Sequence, residues 1–507
     1  MMKMMQKCSA ACAALLLAAA SLPLNAFAET SMRRGDADLD GAVGVSDIVL
    51  LQRWLLAVPA EGDYRLENCE LDGNGVLDVF DLGLLKRLAL APPEEPQDPD
   101  PVESPLIAPT VAQFPSACSS LGDREMLTVF VDFADRKYSS SALSTDVLRE
   151  ELYGNGTGLS NPWYDSVTNW YDRASFGNIH IDGDVCYYTA QGTMQDYMDA
   201  EDRDFEKLTK EVLRALDDQY DFSNYDLDLD GHIDCLALGI NLDNASDAEK
   251  EYWYGCTATW WADPYFSVDG KTVGKYIILD VQPYADTIDY AKSVLTHELG
   301  HTFGLPDYYL YNDNYVNMDG IAGHERMEDS IGDFSSFSKL MLGWLREDQV
   351  QWYDGTGTQT FTLHDTSQQG SCLILPITGE VGNITSEYFV VEYQTNGGLD
   401  SEMSLYEWEL DSGVRILHIQ ADLFTDQWGS TNFRYEGFGE NYQGDDFQRV
   451  VRLVNNGNGF YHPGDTCTFG ATNFAAYDAS GYQTIDTGYT VTVDAIGDGT
   501  ATVTVTK

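Results

Sequence analysis

Apolar residues fall in distinct textures along the chain, and each texture predicts a different element. The first is an unbroken run from Ala10 to Ala20, behind Lys3 and Lys7 and ahead of Ala26-Phe27-Ala28. The run is too short for a permanent bilayer span. With its charged start and small-x-small end it reads as a cleaved secretory leader, residues 1–28, with the mature chain starting near Glu29. Next come two short helical patterns, Leu50, Leu51 and Arg53, then Leu84, Leu85 and Arg87, at an offset of 34 residues. Ala91-Pro92-Pro93-Glu94-Glu95-Pro96 and the Asp-Pro pairs behind it fit neither helix nor central strand, so 92–118 is expected to be an extended linker. Beyond it the texture becomes that of a folded core. Leu127 to Phe133 and Cys235 to Ile240 are continuous apolar runs of buried-strand type. Phe205, Leu208, Val212 and Leu216 share one helical face, and Ala291 to Gly304 reads as a further helix. After Glu347 strands dominate: Tyr388 to Tyr393, Val414 to Ile419, and an alternation of Val491 and Val493 with Ala501, Val503 and Val505 around Gly497-Asp498-Gly499. That last pattern is a hairpin signal. The expected architecture is multidomain: a small all-α module at 33–91, the linker, an α+β domain at 119–350 and a β-rich region at 351–507.

Composition narrows the classes. The chain has 507 residues, too many for one ordinary core, and a net charge of −53. Such a charge excludes nucleic acid and anionic lipid as partners and suits an exported protein. No later segment is apolar enough to enter a membrane. Seven cysteines lie beyond the leader: Cys69, Cys118, Cys186, Cys235, Cys256, Cys372 and Cys467. They are scattered and odd in number, with no C-x-x-C, so they form no disulfide scaffold. Some bridges, or free thiols in an anaerobic secretor, both fit.

The candidate chemistry is concentrated in His297-Glu298-Leu299-Gly300-His301-Thr302-Phe303-Gly304-Leu305-Pro306-Asp307. Histidines four apart on a helix point the same way and can reach one metal. Imidazoles suit Zn²⁺, and a catalytic zinc keeps three protein ligands and one open position. Gly304 can take a positive φ, end the helix and swing Asp307 back as an oxygen ligand. Glu298, next to the first histidine, is placed to take a proton from a water. The constellation points to peptide-bond hydrolysis without an acyl-enzyme.

The 34-residue repeat carries a second kind of site. Asp36-Ala37-Asp38-Leu39-Asp40-Gly41 leads to Asp47, and Glu70-Leu71-Asp72-Gly73-Asn74-Gly75 leads to Asp81. Oxygen side chains at loop positions 1, 3, 5 and 12 with Gly at 6 suit Ca²⁺. A helical solenoid has a similar period, but two copies with Asp-rich loops argue against it. The repeat resembles a type I dockerin, the module that plugs a secreted enzyme into a cohesin on a scaffold protein. The resemblance implies two Ca²⁺ ions, held by Asp36, Asp38, Asp40 and Asp47, and by Glu70, Asp72, Asn74, Asp78 and Asp81. It implies cohesin recognition through Val45, Ser46, Val79 and Phe80. Glu70 replaces the usual Asp, and Gly44 supplies no side-chain oxygen at position 9. A third stretch, Asp226, Asp228, Asp230-Gly231 and Asp234, copies the first nine positions of such a loop but has Ala237 at position 12. It reads either as a further calcium turn or as a plain Asp-Gly turn.

From about Leu127 to Gly470 the chain resembles the immune inhibitor A family of secreted zinc peptidases, relatives of the metzincins. HELGHTFGLPD matches the family's HExxHxxGxxD. Met327, in Glu325-Arg326-Met327-Glu328-Asp329, stands at its methionine turn. Ile331-Gly332-Asp333, Ser338-Lys339, Leu342-Gly343-Trp344 and His462-Pro463-Gly464-Asp465 match later segments. The resemblance implies a zincin catalytic domain with one zinc on His297, His301 and Asp307 and Glu298 as base. Two departures stand out: Arg326 replaces the family's first Met of Asp-Met-Met-Asp, and the repeat and linker occupy the place of a pro-segment. The resulting expectation is a secreted, scaffold-docked zinc metalloendopeptidase of a cellulosome, held near the cell surface through its cohesin and acting on protein or peptide. A docked binding module with an inactive peptidase fold is the alternative. A glycoside-acting component is a third reading, for which no paired-carboxylate signature can be recognised.

Overall fold

The computed structural model describes residues 37–39, 43–59, 64–69, 71, 76–90, 104–154, 165–198, 205–261, 263–309, 321, 325–329, 332–401, 412–435, 449–454, 459–470, 475–478 and 481–507. The expected leader, residues 92–103 of the expected linker, and Asp36, Asp40, Glu70, Asp72 and Asn74 lie outside them, as does the side chain of Phe80. The chain is a multidomain α/β protein with many sheets, divided into two compact units, 1–103 and 104–507. Among the described residues no helix is long and apolar enough to cross a membrane.

The first unit pairs helix α1 (Val45–Leu55) with α2 (Val79–Leu90) over a small core of Ala37, Leu51, Cys69 and Leu85. An acidic residue in the first turn starts each helix. Asp47 is fully buried: Oδ1 accepts from the Ala37 and Asp38 amides (2.7 and 3.0 Å) and Oδ2 from Gly44 (2.7 Å). Asp81 accepts from Leu71 (2.7 Å) and Asp78 (2.9 Å) in the same way. Each carboxylate thus caps its helix and folds the preceding loop over the helix N-terminus. Val45 and Val79 are 74 % and 66 % exposed.

In the second unit a five-stranded sheet has the order β2-β1-β4-β7-β5. Its strands are β1 (Gly122–Asp132), β2 (Ile179–Thr189), β4 (Cys235–Ile240), β5 (Cys256–Thr259) and β7 (Lys275–Leu279). All neighbours run parallel except the edge strand β5, which is antiparallel to β7. The short pair β3 (His232–Ile233) and β6 (Thr272–Val273) stands apart from it. The central strands are apolar on both faces because both faces are covered. Met126 and Phe130 enter one core with Ala237, Ile277 and the helix Ile288–Thr302; Leu127, Val129 and Val131 enter another with Leu236, Leu238 and the helix Phe205–Leu216. In chain order the helices of this unit are α3 (Thr145–Tyr153), α4 (Val167–Ala174), α5 (Phe205–Leu216), α6 (Asp247–Tyr252), α7 (Ile288–Thr302), α8 (Arg326–Asp329) and α9 (Ser336–Met341).

The remainder is strand-rich, as its alternation predicts, but it is not a separate body. A second sheet has the order β15-β12-β11-β10-β8, from β8 (Val350–Trp352), β10 (Cys372–Pro376), β11 (Glu387–Gln394), β12 (Gly413–Gln420) and β15 (Val451–Leu453). Its inner residues Ile374, Tyr388, Val390, Leu417 and Ile419 share one continuous core with Leu295, Leu299 and Phe337. Its outer residues Leu373, Leu375, Phe389, Val391 and Ile416 pack on a four-stranded sheet containing β9 (Thr358–His364), β16 (Thr466–Phe469), β19 (Tyr489–Gly497) and β20 (Thr500–Thr506). Two-stranded ribbons, β13 (Leu423–Thr425) with β14 (Thr431–Phe433) and β17 (Ala475–Asp478) with β18 (Gly481–Thr484), complete the set among the described residues. The boundary expected at 350/351 is therefore corrected: the second sheet is sandwiched between the core under the first sheet and the terminal sheet. The linker boundary is corrected too. Residues 104–118 belong to this unit: Leu106 bridges to Arg346, and Val111, Phe114 and Cys118 are buried in its core.

Candidate metal centre and catalytic cleft

Helix α7 begins three residues before the expected Ala291, with Asp289 in its first turn, and ends at Thr302. Its end is a Schellman motif built by the sequence Phe303-Gly304-Leu305. Gly304 has φ +106°, its N–H donates to the His301 carbonyl (3.0 Å), and the Leu305 N–H donates to the Gly300 carbonyl (2.9 Å). The reversal brings Asp307 back beside the helix.

Three donors converge there. Asp307 Oδ1 lies 3.1 Å from His297 Nε2 and 3.1 Å from His301 Nε2. The far nitrogens face carbonyls, His297 Nδ1 at 2.7 Å from the Arg326 oxygen and His301 Nδ1 at 2.8 Å from that of Leu305. A carbonyl only accepts, so each Nδ1 carries a proton and each Nε2 faces the common centre. Burial opposes the His301 imidazolium, but the charge of Asp307, its hydrogen bond and Glu298 outweigh that and push the pKa up to about 9. Burial likewise opposes the Asp307 carboxylate, yet the two imidazoles hold it far below the ordinary range. This donor set fits zinc: two oriented imidazoles and a carboxylate, already arranged around a cation-favouring point.

Glu298 is 6 % exposed and borders a cleft of about 650 Å³ together with His301 and Asp307. The Thr257 hydroxyl, on edge strand β5, lies 2.8 Å from Glu298 Oε2 and 2.9 Å from its backbone carbonyl. Phe114, Pro115, Thr257 and Trp261 line it, together with Asp426 and Asn432 from the β13–β14 ribbon. Under the helix sits Met327, fully buried. A Cβ on Gly300 would stand 2.4 Å from the Met327 sulfur, so glycine there permits the contact. The Arg326 side chain is fully buried as well, with its guanidinium 4.5 Å from the Trp170 ring centre and Nε donating to the Gly332 carbonyl (3.1 Å). That is how the structure accommodates the departure at this position, while the Arg326 backbone oxygen holds His297. His418 pairs with Glu387 across β11 and β12 and is not part of the cleft lining.

The structure thus brings His297, Glu298, His301, Asp307 and Met327 together. Among the described residues two further clusters join acidic side chains, Asp226 with Asp228 and Asp230, and Asp228 with Asp234 and Cys118. Asp38, Asp47, Asp78 and Asp81 lie in or behind the two N-terminal loops, and Val45, Ser46 and Val79 are exposed beside them. Sequence reasoning missed Thr257, Lys275, whose Nζ donates to the His301 carbonyl (2.6 Å), and Phe114. All three reach the site through sheet order or chain packing, for which no local motif exists. No disulfide appears among the described residues. No protein-family model matches the chain, and no curated protein matches it.

Proposed function

We propose that the chain is an exported zinc metalloendopeptidase of the metzincin-like kind, docked to a cohesin scaffold through a calcium-binding dockerin at 33–91. The observation that carries this reading is the convergence of His297, His301 and Asp307 on one point with Glu298 beside it in an open cleft. Zinc bound at those three donors supplies the Lewis acidity that makes a water nucleophilic near neutral pH and polarises a scissile carbonyl. The chain's own groups do the rest. Glu298 takes the proton of the attacking water on a carboxylate oxygen and passes it to the leaving amine. Thr257 fixes the rotamer of that carboxylate through Oε2, leaving Oε1 for the proton. The Arg326 and Leu305 carbonyls fix both imidazole tautomers. The cleft walls hold an extended peptide beside strand β5.

The intact quartet argues against the inactive-module alternative, which has no use for a glutamate aimed into the cleft. In the N-terminal unit, the two buried loop-closing carboxylates and the exposed Val45 and Val79 support the dockerin reading. The test is hydrolysis of an unstructured protein such as casein by the purified chain, with a zinc chelator and with zinc restored. Chelator-sensitive cleavage that zinc restores is expected. A folded protein that binds no zinc would sink the peptidase reading.

A further inference from the structure

Phe114, Pro115, Tyr254, Trp261 and Tyr309 give the cleft an aromatic and apolar lining. Outside the candidate catalytic group, Lys275 and Asp426 are the two charged side chains that line it among the described residues. They are of opposite sign, and each is engaged by the fold. Lys275 Nζ donates to the His301 carbonyl (2.6 Å). Asp426 Oδ1 accepts from the Trp428 and Ser430 amides (2.8 and 2.9 Å), in the turn of the β13–β14 ribbon. A substrate side chain entering the cleft therefore meets aromatic surface and little net charge.

Trp261 combines an uncovered side chain with a fixed backbone. The residue is 79 % exposed, and its ring stacks on no other ring among the described residues. An indole in water is a large apolar surface, of the kind that carries much of the binding energy once a partner covers it. The Trp261 amide donates to Glu206, a buried carboxylate on α5. The preceding Trp260 stacks on Phe266, with 5.3 Å between ring centres. Its indole N–H donates to the Asp263 carbonyl (2.9 Å) and its amide to the Gly274 carbonyl (2.9 Å). Side chains alternate along extended chain. The first tryptophan is thus anchored in the fold, and the second is presented to the cleft.

Trp261 follows Thr257, the partner of Glu298, by four residues. Extended chain rises about 3.3 Å per residue. A peptide lying beside β5 therefore meets Trp261 within four residues of the bond that is broken.

We propose that the cleft selects polypeptides with a large apolar side chain, aromatic above all, near the scissile bond, and that Trp261 is the residue that covers it. Cleavage beside that side chain rests on the metallopeptidase reading; its recognition by the cleft does not.

The test has two arms on the full, zinc-loaded chain. In the first, calorimetry on Glu298→Gln measures binding of a Gly/Ser/Ala host peptide carrying one central Phe, Ala, Arg or Glu. The measurement is repeated with Trp261→Ala and with Trp261→Phe in the same background. The Phe peptide should bind about 10-fold more tightly than the Ala peptide. Trp261→Ala should remove most of that difference, and Trp261→Phe should keep most of it. In the second arm, the products of casein hydrolysis by the wild type are sequenced. Aromatic residues should be enriched within four residues of the cleaved bonds, and less so for Trp261→Ala. Equal binding of the Phe and Ala peptides would overturn the proposal, as would tighter binding of the Arg or Glu peptide. A Phe preference that survives in Trp261→Ala would overturn the role of Trp261. Phe-selective binding without casein hydrolysis by the wild type would fail the peptidase reading and support the recognition.

Discussion

At the residue scale the account depends on orientation. Two imidazoles reach the centre because backbone carbonyls hold their far nitrogens, and Glu298 is held by one hydroxyl. Thr257→Val should remove that hydrogen bond and lower kcat/KM by about 10- to 100-fold, because small misplacements of a catalytic group are amplified in rate. Thr257→Ser should retain most activity, and both variants should bind zinc as the wild type does. Equal kinetics for Val and wild type would remove Thr257 from the mechanism. The motif residues were legible in the sequence because their geometry is local: four residues make one helical turn, and Gly304 makes the reversal. Thr257 lies 41 residues from Glu298 in the chain and meets it across the β5 edge. No spacing rule reaches that far. Arg326 read as a departure from a family pattern, and only the Trp170 ring and the Gly332 carbonyl show why it fits.

At the element scale the C-terminus of α7 matters most. Gly304 combines φ +106° with close approach to Val111 and Phe114, whose atoms lie 3.0 and 3.2 Å from where a Cβ would stand. Gly304→Ala should therefore cost about 1–2 kcal/mol from backbone strain alone. It should also weaken zinc binding, since Asp307 follows three residues on. Thermal melting and zinc titration measure both, and an unchanged zinc affinity would show that the reversal does not set Asp307. Helix α5 and strand β4 have the bounds their apolar patterns predict, α5 from a helical face of regular spacing and β4 from an unbroken apolar run. Strand β1 starts at Gly122, five residues before its apolar run, because parallel pairing with β2 extends into the polar stretch Asp123-Arg124-Glu125. Pairing of that kind is a tertiary effect that alternation does not encode.

At the scale of the whole molecule, the expected division at 350 dissolves into a shared core, and charges are buried within it. Asp400 accepts from the Asp333 amide (2.9 Å) and from Gln394 (2.8 Å), and Asp333 pairs with Lys339 (2.7 Å). Burial, then the charge of Asp333, pushes the Asp400 pKa up to about 7. A carboxyl with a raised folded pKa binds more protons folded than unfolded between its ordinary value and the raised one. Its contribution is fully present below about pH 4 and is lost as pH rises toward 7. Asp400→Asn should flatten the stability profile across that window, as denaturant midpoints at several pH values would reveal. An unchanged slope would place the dependence elsewhere. The two compact units should also act independently: Asp47→Ala with Asp81→Ala should abolish calcium-dependent capture by a cohesin while leaving casein hydrolysis unchanged. Loss of hydrolysis in that variant would contradict the separation. The repeat at offset 34 made the first unit legible, whereas the shared core was not, since Tyr388 and Leu295 join it from elements far apart in the chain.

The most direct measurement is the rate of casein cleavage by Glu298→Gln against the wild type, each with its zinc content determined on the same sample. The account predicts equal zinc in the two proteins and a loss of activity of about 10²-fold or more in the variant, because the general base is gone while the ligands remain. Equal cleavage at equal zinc would contradict it.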